Sequence, residues 1–294
     1  MSKDDSIGII IILGIIFIAL FSGSKGASNN GLLSSGNVTP EQKQKNITKE
    51  IQQTQAKIDT LKKQIQTEND KKIQSIYKDM VTISYVNKST NPSQEYVAIR
   101  VKNNATTTIP VTGWTLHSTN TGNTVTIPTG TYLFFMGTKS DDDIYLNGGD
   151  TLYLITGISP NGTSFKINKC SGYLSQFQTF IPYINNICPD PRSEDLSSIP
   201  KIISNDACLD YINSFPRCKV ETKNLPVNWT YECKHFINDT LSYPSCVNTH
   251  KNDKDFYQKE WRVYLKRNAS IWKNRRENII LYDNLGKIVT TLTY

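Results

Sequence analysis

The sequence predicts a mainly β protein. Its body is an antiparallel sandwich interrupted by a disulfide-rich helical insert, and an N-terminal transmembrane helix and a helical stalk precede it. Three observations carry that expectation. An apolar run without a charge covers residues 7–21. The hydrophobic period changes from 3.6 to 2 at Met80, the mark of a passage from helix to strand. All six cysteines lie beyond residue 169, an even number in one block.

A chain of 294 residues allows one or two domains plus attachments, and 37% hydrophobic residues rule out wholesale disorder. Three histidines leave little raw material for a metal hydrolase. The formal net charge of +7 is unevenly spread. Residues 25–79 hold ten lysines against six acids, and residues 251–294 hold ten basic against five acidic residues, so the excess belongs to two segments only.

Residues 1–24 read as the membrane anchor. Fifteen helical residues reach about 22 Å, short of a ~30 Å hydrocarbon core, and the flanking serines bring the segment to the lower limit of a span. Ser22-Gly23-Ser24 also fits a signal-peptide cleavage site. The Ile-rich run without a helix-breaking end favours an uncleaved, single-pass anchor. Charges beside it have both signs (Lys3, Asp4, Asp5, Lys25), so the cysteines decide orientation and place the bulk of the chain outside the cytoplasm.

Residues 25–40, rich in Gly, Ser and Asn, form a flexible linker. Thr39-Pro40-Glu41 opens a helical stalk over 41–78, with Pro where its missing N–H costs nothing. Ile47, Ile51, Ile58, Leu61 and Ile65 recur at alternating 4 and 3 spacing, with Thr54 filling one seam position, a short heptad pattern. One reading is a coiled coil making a homodimer through the stalk. The other is a single amphipathic helix packed on the following domain, because Lys57 and Lys62 would repel across a parallel dimer.

The first part of the sandwich is assigned to 79–168. Strands are expected at 81–86, 96–101, 109–112, 114–117, 124–127, 132–135 and 152–156, each bounded by turn residues. Trp114 is a core anchor. Closing strands are expected in 256–294, at 261–265 and as a hairpin of 278–283 with 287–294. An isolated hairpin is marginal in water, which favours one sandwich split by an insert over two separate domains.

The insert, 169–255, contains an internal repeat. Cys208 is followed by Tyr211 and Ile212, and Cys233 by Phe236 and Ile237, each set on one helical face. Pro216 and Pro244 stand where those helices would end. If the two helices run antiparallel, Cys208 meets Cys246 and Cys218 meets Cys233, leaving Cys170 for Cys188; other connectivities stay open. No Cys-x-x-Cys knuckle suggests zinc.

Chemistry is sparse. No nucleophile elbow, metalloprotease or phosphate-loop motif occurs, so no catalytic residue, cofactor or metal is assigned. Asp141-Asp142-Asp143 with Asp150 lacks EF-hand spacing and reads as a solvated turn. His117 is a structural strand residue, and Glu95 and Glu260 start strands without a visible partner. Tyr173, Phe177, Phe180 and Tyr183 are either an exposed aromatic surface or a loop pinned to the sandwich, the latter preferred. A candidate binding patch comprises Arg262, Lys266, Arg267, Lys273, Arg275 and Arg276, interleaved with Trp261, Tyr264 and Trp272. Such a mixture can bind phosphates and stack bases, although a solvated outer face is the simpler reading.

Glu95-Tyr96-Val97-Ala98-Ile99, then Gly113-Trp114-Thr115-Leu116, then Leu146-Asn147-Gly148-Gly149-Asp150 resemble the lamin-tail domain family. The ending from Ile279 through Asp283 to Val289 is similar to that family's last hairpin. Asn147 stands where the family usually has Pro. The resemblance implies an immunoglobulin-like sandwich. Residues 80–294 further resemble membrane-anchored lamin-tail proteins of uncultured small-genome bacteria, on Cys170-Ser-Gly-Tyr173, Asp206-Ala-Cys208, the segment from Glu260 to Leu265, and Trp272-Lys273. That group implies an architecture and no assigned reaction. The expected function is therefore a non-enzymatic adhesion or envelope-scaffold protein at the cell membrane, binding a protein or polymer ligand. The alternative is a binder of nucleic acid or another anionic polymer through the C-terminal basic cluster.

Overall fold

The computed structural model describes residues 40–134, 140–197, 199 and 206–294. The expected membrane anchor and the linker up to residue 39 lie outside them. Among the described residues no helix is long and apolar enough to cross a membrane. The chain divides after Lys63 into two units, and helix α1 (Pro40–Ile73) begins in the first and ends in the second. Pro40 occupies its first position, as its fixed φ suits. Ile47, Ile51, Leu61 and Ile65 on its seam are each at least half exposed.

The second unit is built on two main sheets. One has the order β1 (Val81–Asn87), β2 (Tyr96–Val101), β7 (Thr151–Ile155), β9 (Tyr257–Tyr264), β8 (Phe165–Asn168). The other runs β11 (Ile288–Thr293), β10 (Asn278–Tyr282), β4 (Thr115–Ser118), β5 (Thr124–Thr126). A two-stranded ladder joins β3 (Ile109–Pro110) to β6 (Tyr145–Leu146). Every pairing between these strands is antiparallel except β7 with β9, which is parallel. A parallel pair needs a long crossover, and β8 with the cysteine insert supplies it.

The core follows from strand alternation. Val97, Ile99, Leu152, Leu154, Trp261 and Val263 of the first sheet meet Leu116, Val125, Ile279, Leu281 and Val289 of the second in one buried cluster that also contains Trp114. Each such aliphatic side chain contributes about 1.5–3 kcal/mol when fully buried. β9 departs from simple alternation, with four consecutive buried residues at its end. Trp261 and Val263 enter this core, while Tyr264 packs on the opposite face with Ile155, Phe165, Ile167, Phe180 and Ile184. The insert, through Phe180 and Ile184, thus covers the outer face of the sheet around the second half of β9, whose last four residues have no solvent side.

The strand expected at 132–135 does not form over its described residues. Thr131 makes a single bridge to Phe165, and the chain then leaves the sheet. The aromatics there act as wedges: the Tyr132 ring meets Trp261 edge-on at 4.8 Å, and Phe134 packs against Phe165 and Tyr243. β6 and β8 were not anticipated. β8 is a run of only four residues, too short for its alternation to stand out, and its polar positions Lys166 and Asn168 are buried with the rest.

All six cysteines form disulfides, but with a connectivity different from the expected one: Cys170–Cys246, Cys188–Cys218 and Cys208–Cys233. The physical reason lies in the helices. Helix α2 (Asp206–Ser214) ends before Pro216, and Cys218 sits beyond it in a left-handed backbone conformation facing Cys188. Pro244 begins a helix where it was expected to end one. Helix α3 (Tyr231–His235) passes into a π turn ending at Thr240, and α4 (Tyr243–His250) starts anew under a Ser242 cap. Cys246 therefore belongs to a separate helix near Cys170, in a cluster with Tyr173, Tyr243 and Phe256. The equivalent cysteines of the repeat, Cys208 and Cys233, face each other over Ile212, Phe236 and Ile237. Each bond adds about 2–4 kcal/mol by restricting the unfolded chain.

Candidate binding surface

The basic residues divide into two groups by burial. Arg262 leaves the expected patch: it is 1% exposed, pairs with Glu260, and donates from Nη2 to the Tyr183 carbonyl at 3.0 Å. Its guanidinium lies 4.6 Å from the centre of the Tyr153 ring. Burial raises the pKa of Glu260, and the Arg262 charge only partly offsets it. The cause is the position of β9 between β7 and β8, which turns residue 262 inward under the insert. The interleaved aromatics are unavailable for base stacking for the same kind of reason: Trp261, Tyr264 and Trp272 are all buried.

Lys266, Arg267, Lys273, Arg275 and Arg276 are exposed, all on the loop between β9 and β10. Two buried carboxylates hold that loop. Glu95 accepts the backbone N–H of Ile271 on Oε2 at 2.8 Å and that of Trp272 on Oε1 at 3.1 Å, with the Thr156 hydroxyl at 2.7 Å. Glu277 accepts the N–H of Lys273 at 2.9 Å, the Ser118 hydroxyl at 2.7 Å and its neighbour Asn278 N–H at 2.9 Å. Ile271 and Trp272 then drive into the main core. The loop start is tied to the end of β7, where Leu265, Lys266 and Arg267 donate their N–H groups to the carbonyls of Ile155, Gly157 and Thr156. Lys266 has φ of +55°, a left-handed conformation that costs a non-glycine residue about 1 kcal/mol or more.

The loop borders the β4–β5 hairpin. Asn123 Nδ2 donates to the Ile271 carbonyl at 3.0 Å, Lys273 Nζ to the Asn120 carbonyl at 3.3 Å, and Asn120 Nδ2 to the Arg276 carbonyl. Between β5 and the loop lies a groove of about 320 Å³, walled by Thr124, Thr126, Asp141, Ser164, Lys266 and Arg267 among others. A second concavity continues it past Asn123, with Arg267 between the two. Among the described residues neither Lys266 nor Arg267 has an ion-pair partner.

Other candidates resolve differently. Asp150 accepts the Asn147 N–H at 3.0 Å and pairs with the buried Lys166 at 3.5 Å, so it faces an ammonium group rather than the Asp141–Asp143 turn. Burial lowers the pKa of Lys166 despite that partner. Tyr173 and Phe180 are buried, while Phe177 and Tyr183 are 68% and 61% exposed, so the aromatic loop is pinned by two rings only. His117 Nδ1 lies 2.8 Å from the Thr124 hydroxyl. Glu95 and Glu277 were missed as loop clamps. A buried acid has no local signature, and its partners lie 176 and 177 positions away for Glu95 and 159 positions away for the Glu277–Ser118 bond.

No protein-family model and no curated protein matches the chain. The functional reading therefore rests on the geometry and on the motifs.

Proposed function

We propose that the chain is a non-enzymatic, membrane-anchored binding or adhesion protein whose body is displayed outside the cytoplasm. In this reading the sheet-rich unit is a lamin-tail-like, immunoglobulin-type sandwich carrying a disulfide-laced insert on a helical stalk. The observation that carries it is the set of three disulfides, with no free cysteine among the described residues. Such bonds persist in oxidising compartments and not in a reducing cytosol. The motif turn Asn147-Gly148-Gly149-Asp150 supports the family reading. Gly149 has φ of +88°, and a Cβ on Gly148 would come within 2.7 Å of the Ala105 carbonyl. The test is labelling of intact cells with a membrane-impermeant amine reagent. Lysines of the body should label before lysis, and six thiols should react with maleimide only after reduction. Labelling confined to lysed cells, or free thiols without reductant, refutes the assignment.

A second reading, binding to nucleic acid or another anionic polymer, is favoured by the five exposed basic side chains on one braced loop. Its test is salt-dependent retention on DNA that is lost when Arg275 and Arg276 become Glu. No retention at low salt refutes it.

A further inference from the structure

β5 is an edge strand, and its pairing leaves specific groups open. Ser118 N donates to the Asn123 carbonyl at 2.9 Å, and Ile127 N to the Trp114 carbonyl at 2.8 Å. By the alternation of an antiparallel ladder, the N–H and C=O groups of Thr124 and Thr126 then point away from β4. That side is where the groove lies. The same groove is lined by Lys266 and Arg267 of the loop and by Asp141 and Ser164, so charged and polar side chains border the free edge of β5.

The charges run along the groove in one sense. Arg267 lines both concavities beside Thr124, near the start of β5. Asp141 stands past the other end, where Thr129 Oγ1 approaches it at 3.5 Å and Gly130 pairs with Asp142. From residue 124 to residue 129 an extended chain advances about 17 Å. From these features we propose that a peptide segment adds antiparallel to β5 as a new edge strand, placing an acidic side chain near its C-terminal end against Lys266 and Arg267 and a basic one near its N-terminal end against Asp141. Four backbone hydrogen bonds at Thr124 and Thr126 supply the docking, and the two charge contacts set direction. The inference rests on the binding-protein reading above and names the chemical class of its ligand.

The test uses the full chain in mild detergent and a labelled hexapeptide, Lys-Val-Thr-Val-Thr-Glu, capped at both ends. Saturable binding by fluorescence anisotropy should slow amide exchange of Thr124 and Thr126 at least tenfold. Arg267→Glu should weaken binding at least tenfold, and a peptide ending in Lys should bind that variant better than the original peptide does. The reversed sequence, and a peptide N-methylated at the bonding positions, should each bind at least tenfold more weakly. Absence of binding at millimolar peptide, binding without slowed exchange at Thr124 and Thr126, or equal binding of the N-methylated peptide overturns strand addition. These outcomes are separable from the cell-labelling test: a body displayed outside that ignores the peptide removes this inference alone, whereas peptide binding by a body found inside the cell removes the display reading alone.

Discussion

Replacing Glu95 with alanine tests how the basic loop is held. Glu95 is fully buried and receives three donors, the N–H groups of Ile271 and Trp272 and the Thr156 hydroxyl. Each donor left unpaired in the interior costs about 1–3 kcal/mol. Three orphaned donors, not fully additive, cost about 3–6 kcal/mol, partly offset because the buried carboxylate and its own desolvation cost are also gone. Against a domain stability of about 5–15 kcal/mol, that is a large fraction. Glu95→Gln keeps the shape and one accepting oxygen, but turns an amide toward at least one donor, so about 1–3 kcal/mol is expected. Urea unfolding with the disulfides intact gives the order wild type, Gln, Ala in falling midpoint. Amide exchange at Ile271 and Trp272 should accelerate in the Ala variant before global unfolding. An unchanged midpoint with both amides still protected would refute the clamp.

Three further outcomes follow from named contacts. Gly172→Ala would drive a Cβ into the Cys218 sulfur and to 3.0 Å from that of Cys188, so non-reducing peptide mapping should show the Cys188–Cys218 bond missing or reshuffled; a native bond pattern at native stability argues against that packing. His250 lies between Asp253, 2.9 Å from Nδ1, and Glu194, 3.1 Å from Nε2. Burial alone would lower its pKa, but the two carboxylates outweigh that and raise it. Its contribution is therefore complete below the unfolded value of about 6.5 and is lost as pH rises through the higher folded value. His250→Gln should cost stability at pH 5.5 and progressively less by pH 8.5 or so; a pH-independent difference contradicts this. Arg262→Met leaves Glu260 without its partner and should cost as much as about 3 kcal/mol, with polyanion retention unchanged because Arg262 is not at the surface.

Local pattern sufficed where a residue's environment is set by its neighbours. The alternation at 81–86 and 96–101, the apolar anchor Trp114, the helix opened by Pro40 and the commitment of all six cysteines to disulfides were legible because each depends on a short stretch of chain or on a count. Connectivity was not legible. The repeat around Cys208 and Cys233 correctly marked two helical faces, but which sulfurs meet depends on where the second helix breaks and restarts, at Thr240 and Ser242.

The basic cluster separates the two levels most clearly. Sequence alone determined that positive charge and aromatic rings crowd the last forty-odd residues. Only the tertiary structure decided that the last four residues of β9 are sealed on both faces, which removes Arg262, Trp261 and Tyr264 from solvent and leaves the following loop exposed. Charge composition is additive along a chain, whereas burial is a property of what packs on each side. The parallel partner β7, the neighbour β8 and the covering insert all come from residues distant in sequence.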